Sequence, residues 1–379
     1  MPDTYDVIVL GLGGMGSAAA RHLAARGVSV LGLEQFTPAH TLGASHGDSR
    51  IVRKAYFEHP DYVPLLLRTY RLWDQLGADI GQPLFARTGA LMIGAADSAV
   101  VTGTLASAQR WGLEHQMLDR AAMQHRYPQF SLHSDEVAVF EKDAGYVRPE
   151  DVVRAHLDLA RRDGAQLRFG VKVTDWHLDG DDVLVEFDGG RARAGRLVLA
   201  AGAWTAPLAP DLGVPLRVGR RIMHFLRPAD PAQYEADRFP VYIFQTDPAD
   251  VIYGCPRVGD PADGVKVGFH YRGGDADPDL IDRAVSRAES QQMRDVLAER
   301  IPGLADYVEA RVCMYTLTPD EHFVIDLLPG SAGRVAVAAG FSGHGFKFTP
   351  VVGEILADLA LTGTTAHPID FLRASRFPS

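Results

Sequence analysis

Five short stretches of this chain carry side chains able to do chemistry. Gly11-Leu-Gly13-Gly-Met-Gly16 is a glycine turn of the kind that lets backbone approach a pyrophosphate at a helix N-terminus. His46-Gly-Asp-Ser-Arg50-Ile-Val-Arg53 sets a histidine and two arginines in one short loop, and arginine grips carboxylates or phosphates through paired donors. In Val265-Lys266-Val-Gly-Phe-His270, strand alternation puts Lys266 and His270 on one face and Val265, Val267 and Phe269 on the other. Phe341-Ser-Gly343-His-Gly345-Phe-Lys347 is a second glycine turn, with a lysine at a helix start where anions are welcome. Cys313 stands in Arg311-Val-Cys-Met-Tyr315-Thr. Each stretch also has a plain reading: an unliganded turn, a solvated basic loop, the face of an edge strand, a strand-to-helix connection, a buried apolar thiol. Neither Cys255 nor Cys313 has a partner at zinc spacing, so no metal site is expected, and no Gly-x-Ser-x-Gly elbow follows a strand, which disfavours a hydrolase.

The elements around these stretches decide which reading is stronger. Residues 5–10 read as a strand, 15–26 as a helix closed by Gly27, and 28–33 as a second strand, which makes a βαβ unit and a parallel sheet. Glu34 ends that second strand, where a carboxylate accepts hydrogen bonds from a ribose diol and repels a 2′-phosphate. Strand, turn, helix, strand and acid agree, so the turn is read as a dinucleotide site; the motif alone does not separate NAD from FAD. Helical spacing recurs over 61–76 and 149–162, and strands are expected at 167–173, 183–187 and 196–201, with turns at Asp179-Gly-Asp and Asp188-Gly-Gly. From Pro207 to about Tyr271 proline and alternation predict an antiparallel sheet, followed by an amphipathic helix over 279–300. The final segment returns to the opening pattern, with a strand at 334–339 and a helix at 349–361 capped by Thr349.

The chain has 379 residues, 46% hydrophobic and 23% charged, which is ample for a core and excludes disorder. A net charge of −10 leaves no basic excess for a phosphate backbone, so no nucleic-acid partner is expected. No apolar run reaches the length of a membrane span, no signal peptide is expected, and two cysteines suit a reducing cytoplasm. The expected fold is α/β: a Rossmann-like domain assembled from separated segments, 1–85, 145–220 and 312–379, with an α+β domain built on an antiparallel sheet from 86–144 and 221–311.

Ser45-His-Gly-Asp-Ser-Arg-Ile-Val-Arg53, Cys313-Met-Tyr-Thr with Pro319-Asp-Glu-His-Phe-Val-Ile-Asp326, and Gly340-Phe-Ser-Gly-His-Gly-Phe-Lys-Phe348 occur in this order. Together they resemble the monomeric sarcosine oxidase and N-methyltryptophan oxidase family of flavoproteins, within the D-amino-acid-oxidase-like group, over nearly the whole chain. The resemblance selects FAD over NAD. It implies that Gly11, Gly13, Gly16 and Glu34 hold the ADP half of FAD, and that Val173, Gly202, Gly343, Gly345 and Lys347 also border the cofactor. It implies a thioether from Cys313 to the flavin, and a substrate carboxylate held by Arg53 and Lys347 with Tyr253, His270 and Tyr315 around it. Lys266 is implied as the oxygen-activating cation, with His46 and Arg50 close to the isoalloxazine. The implied partners are a small amino acid and O2, and the implied state is a monomer. One departure concerns Phe57-Glu58: these relatives carry glycine before the acid.

The expected reaction is oxidation of an N-methyl amino acid, sarcosine first, to an imine that water hydrolyses, with H2O2 formed. N-methyltryptophan, pipecolate and proline are rival substrates. A flavin dehydrogenase using a different acceptor, a flavin-binding protein without turnover, and an NAD-dependent dehydrogenase are the other classes.

Overall fold

The computed structural model describes residues 3–259 and 264–377, so the outer ends of the expected segments 1–85 and 312–379, and four residues of the expected segment 221–311, lie outside the described residues. Strand Asp3–Leu10 turns at Gly11 into helix Gly14–Ala24 and returns as strand Val30–Glu34, the βαβ unit expected. The first strand has two buried faces. Val7 and Val9 join Leu23 of the helix and Val351 and Ile355 of the last helix in one cluster, while Ile8 and Leu10 join Leu31, Leu199 and Val337 in another. A strand buried on both sides must be apolar throughout, as Val-Ile-Val-Leu is.

This first sheet has eight strands among the described residues. Gln166–Phe169, Val30–Glu34, Asp3–Leu10, Gly190–Leu199 and Val335–Ala339 run parallel, and antiparallel strands extend the sheet. The hairpin Val173–Asp179 and Asp182–Phe187 joins one side of Gly190–Leu199, and Val324–Leu327 pairs with Val335–Ala339. The strand expected over 167–173 is therefore two, because Gly170 takes φ 69° and breaks it.

A second sheet, of eight strands among the described residues, runs in the order 304–317, 217–228, 265–269, 250–257, 241–247, 90–95, 136–141, 116–118. It is antiparallel apart from the pairing of Val241–Asp247 with Ala90–Ala95. Two of its strands, Arg217–Pro228 and Leu304–Leu317, begin or end inside segments expected to belong to the first domain. A small third sheet joins Arg50–Val52, Gly145–Val147 and Phe85–Arg87.

The helix expected over 61–76 runs Val63–Ile80, and one further helix start and one cap differ from expectation. The helix expected from 279 starts at Arg287, where Ser286 and Glu289 form a reciprocal capping box. Upstream, Asp277 and Asp282 accept backbone N–H bonds two residues on, which holds 277–286 out of helical geometry. Thr349 is not a cap either. A 3-10 turn, Phe346–Phe348, precedes the last helix, and the Thr349 hydroxyl donates back to the Phe346 carbonyl.

Candidate active site

One cavity of about 570 Å³ runs from the first glycine turn to the second sheet. At its first-sheet end, glycine is required by contact. A Cβ on Gly16 would stand 1.7 Å from the Gly11 carbonyl oxygen, and one on Gly11, at φ 84°, would stand 2.6 Å from the Ala200 oxygen. Gly13 is different: it has no crowding neighbour and an ordinary φ, and as the helix N-cap it brings no side-chain hydrogen bond. Its missing side chain leaves room for a ligand's close approach to the open helix N-terminus. Ser45 Oγ takes the Gly14 N–H at 3.0 Å. Glu34 accepts from the Leu12 and Phe36 N–H groups and lies 3.5 Å from His40 Nε2. Burial alone would raise its pKa, but His40 and those backbone donors bring it below the usual value, so it stays an anion.

The loop from Ser45 to Arg53 crosses the seam between the sheets. Gly47 and Asp48 both have positive φ. Glu150 accepts their N–H groups, Asp48 pairs with Arg311 at 2.7 Å, and Lys266 Nζ donates to the carbonyls of Gly47 and Ser49. Lys266 is buried on a wholly buried strand, so the edge-strand reading fails. Burial brings its pKa down to about 8; Cys255 opposes this and Arg50 adds to it. Arg50 spans the gap to the second sheet, with Nη2 2.9 Å from the Ala44 carbonyl and 3.7 Å from Cys313 Sγ.

The third wall carries Arg53, Glu58 and Lys347. Arg53 Nη2 donates to both Glu58 oxygens at 2.7 and 2.6 Å, and Nη1 to the Ala55 carbonyl at 2.8 Å. Burial raises the Glu58 pKa, yet Arg53, His344 and Lys347 bring it down to about 2. Lys347 Nζ donates to the His344 carbonyl at 2.6 Å, and burial with Arg53 lowers its pKa to about 7, Glu58 opposing. Tyr253, His270 and Tyr315 face the same space. The Tyr315 ring stands against the glycine turn, where a Cβ on Gly343 would be 2.1 Å from it. Burial leaves His270 neutral, with a pKa lowered to about 4.

The cavity thus brings together the residues singled out from the sequence, including Val173, Gly202, Gly345 and Cys313; Gly16 and His46 do not line it. His46 is buried with neither ring nitrogen partnered, and burial lowers its pKa to about 3. Sequence reasoning missed Ser45 as a partner of the glycine turn, Glu58 as the Arg53 counterion, and His344 and Tyr56 between the cations. Trp204 and Asp279, joined by a 2.7 Å hydrogen bond, also line the cavity. No helix among the described residues is long and apolar enough to cross a membrane, and none of their His, Cys, Asp and Glu side chains cluster as a metal site.

A dinucleotide with a flavin head fits these walls. The open helix N-terminus suits a pyrophosphate, Glu34 a ribose, and the unpartnered Ser49 hydroxyl and Arg53 Nε are buried polar atoms without a partner in the protein. The model of FAD-dependent oxidoreductases matches residues 6–359. Monomeric sarcosine oxidase of Streptomyces avermitilis is 49% identical over 371 residues, covering 97% of each chain. N-methyl-L-tryptophan oxidase of Salmonella dublin is 35% identical over 98% of this chain and 99% of its own. Among solved structures, NikD, an unusual amino acid oxidase essential for nikkomycin biosynthesis, superposes with a TM-score of 0.86 at 29% identity over 98% and 97% of the two chains. The chain belongs to the FAD-dependent oxidoreductases, in the family of the monomeric sarcosine oxidases and N-methyl-L-tryptophan oxidases.

Proposed function

We propose that this protein oxidises a small N-methyl amino acid, sarcosine first, with O2 as acceptor. The amine loses a hydride and a proton to give an imine, water hydrolyses the imine to the amino acid and formaldehyde, and O2 leaves as H2O2. Bound FAD supplies the two-electron acceptor and the route of those electrons to oxygen. The observation that carries the reading is the pairing of two buried cations, Arg53 and Lys347, on one wall of the cavity that Lys266 and Cys313 also line.

In this reading Arg53 and Lys347 hold the carboxylate and so orient the N-methyl carbon. Their charge lowers the amine pKa, which favours the unprotonated amine that gives up hydride. Tyr253, His270 and Tyr315 enclose the amine. Gly11, Gly13, Gly16, Glu34, Val173, Gly202, Gly343 and Gly345 would hold the cofactor, with His46 and Arg50 near its ring system. Cys313 would carry it through a thioether, with the Arg50 guanidinium 3.7 Å from Sγ. Lys266, fixed by two carbonyls, would stabilise the anion formed as oxygen accepts the first electron. The cofactor domain would comprise 1–85, 145–220 and 312–379, the substrate domain 86–144 and 221–311, and the active form would be a cytoplasmic monomer.

Phe57 supports a small substrate. Its half-buried ring lies 4.6 Å from the Arg53 guanidinium and lines the cavity, where it takes up room beside the carboxylate grip. Oxygen uptake should be measured with sarcosine, N-methylalanine, N-methyltryptophan, L-pipecolate and L-proline in parallel. Sarcosine is expected to lead and N-methyltryptophan to trail, with peroxide formed. No uptake with any of them from a yellow protein would overturn the proposal. Acid precipitation should leave the yellow colour with the polypeptide, and Cys313→Ser should release it.

A further inference from the structure

Arg53 and Lys347 come from opposite ends of the chain, yet both rest on one ring. The Arg53 guanidinium carbon lies 4.4 Å, and Lys347 Nζ 5.0 Å, from the centroid of Tyr56. Tyr56 has no exposed surface. The rings of Tyr62 and Phe348 pack against it at 5.0 and 5.3 Å, the latter edge-on, which fixes its plane. Its hydroxyl is tied as well. His344 Nε2 lies 3.0 Å from the Glu321 carbonyl, which only accepts, so Nε2 carries the hydrogen and Nδ1 accepts from the Tyr56 hydroxyl. The same His344 supplies the backbone carbonyl that receives Lys347 Nζ.

We propose that Tyr56 is a positioning residue for the substrate carboxylate: its ring sets the spacing of Arg53 and Lys347 and keeps Lys347 cationic inside a buried wall. This rests on the reading of that wall as a carboxylate grip. The groups facing Lys347 are Arg53, Glu58, His270, His344 and Tyr56. Arg53 opposes its charge and Glu58, already bound to Arg53, favours it. An aromatic face stabilises a desolvated cation through its quadrupole without adding a counter-charge that would repel the incoming carboxylate. That is what a grip for an anion requires.

The test uses the flavin-loaded protein and acetate, a carboxylate with no amine to oxidise, followed by the flavin absorbance across neutral pH. Wild type is compared with Tyr56→Phe, which keeps the ring, and with replacement of Tyr56 by a ring-fluorinated phenylalanine, which keeps the shape and drains the face of electron density. Acetate should bind wild type more weakly as pH rises through about 7, where Lys347 loses its proton. Tyr56→Phe should keep this break in place. The fluorinated side chain should weaken acetate about tenfold and move the break to lower pH. If it binds acetate as Tyr56→Phe does, or binds it more weakly with the break unmoved, Tyr56 only fills space and the inference fails. If wild type does not bind acetate at all, the carboxylate grip itself is wrong and the inference falls with it.

Discussion

Glu58 makes the cation wall a three-charge system, two positive and one negative, and leaves a single net positive charge for a ligand. Arg53 and Glu58 are both largely buried, and the guanidinium already spends its Nη2 donors on that carboxylate. Removing one partner of a buried pair leaves the other uncompensated, which costs about 3–5 kcal/mol. Glu58→Gln should therefore lower the melting temperature, and an added monocarboxylate should restore more stability to the variant than to wild type, because it supplies the missing anion. Thermal melts with and without acetate decide the matter; equal acetate stabilisation in both proteins would show that the ligand does not meet Arg53. The side chains on this wall were unequally legible in the sequence. Arg53 and Lys347 sit in distinctive strings and could be picked out. Tyr56 and His344 act through a contact between segments nearly 300 residues apart, and Glu58 pairs with Arg53 five residues earlier, a spacing that no regular element gives; neither string reveals them. Lys266 lay between: alternation paired it with His270, but only the fold brings the Gly47 and Ser49 carbonyls onto its ammonium.

At the scale of elements, the opening unit was read correctly because every local signal agreed: apolar strand, glycine turn, helix, glycine, apolar strand, acid. The turn's geometry explains why the glycines are there. A Gly16→Ala methyl would meet the Gly11 carbonyl at 1.7 Å, a backbone atom that cannot move aside cheaply. The helix start must shift, and with it the N–H groups that would face the pyrophosphate. Gly16→Ala is expected to weaken FAD retention more than it weakens the second sheet. A fluorescence titration of the apoprotein with FAD checks this, and unchanged affinity would detach the helix N-terminus from cofactor binding. The last helix offers a contrast, since Gly353 packs on Ala18 of the first helix and its Cβ would stand 2.5 Å from the Ala18 methyl. There alanine should cost stability without a selective effect on the cofactor. Upstream of the helix at Arg287, acids that cap turns mimic a helix surface in sequence. Ser286 and Glu289 state the true helix start, but Asp279 and Asp282, three residues apart, have the spacing of an amphipathic helix's polar face. The strands Ala90–Ala95 and Glu136–Glu141 passed unread because they lie between helices and have no turn signal as sharp as Asp-Gly.

Across the whole molecule, burial of neutral histidines sets the response to acid. His156 packs in the helix Pro149–Arg162 beside the first sheet, and His224 in the strand Arg217–Pro228 of the second; each has an unpartnered Nδ1. Neither lines the cavity. Burial lowers their pKa values from 6.5 to about 3 and about 4, with His22 and Arg21 adding to the first and Glu289 opposing the second. The unfolded chain therefore binds protons before the folded one does. Stability is complete above pH 6.5 and is lost as pH falls towards those folded values, by about 1.4 kcal/mol per pH unit for each such group. Depressed carboxylates act lower: Glu58 contributes above its ordinary 4.5 and loses that contribution towards about 2. Between pH 6.5 and 4.5 the histidines therefore dominate the loss. His156→Gln removes one of them from the first-sheet half and His224→Gln one from the second. Each variant is expected to gain on wild type as pH falls through that window, read from denaturant midpoints at a series of pH values. Because the two sites belong to different sheets, their gains should add if the sheets unfold together. A gap between variant and wild type that stays constant with pH would mean that these rings are not neutral in the folded protein.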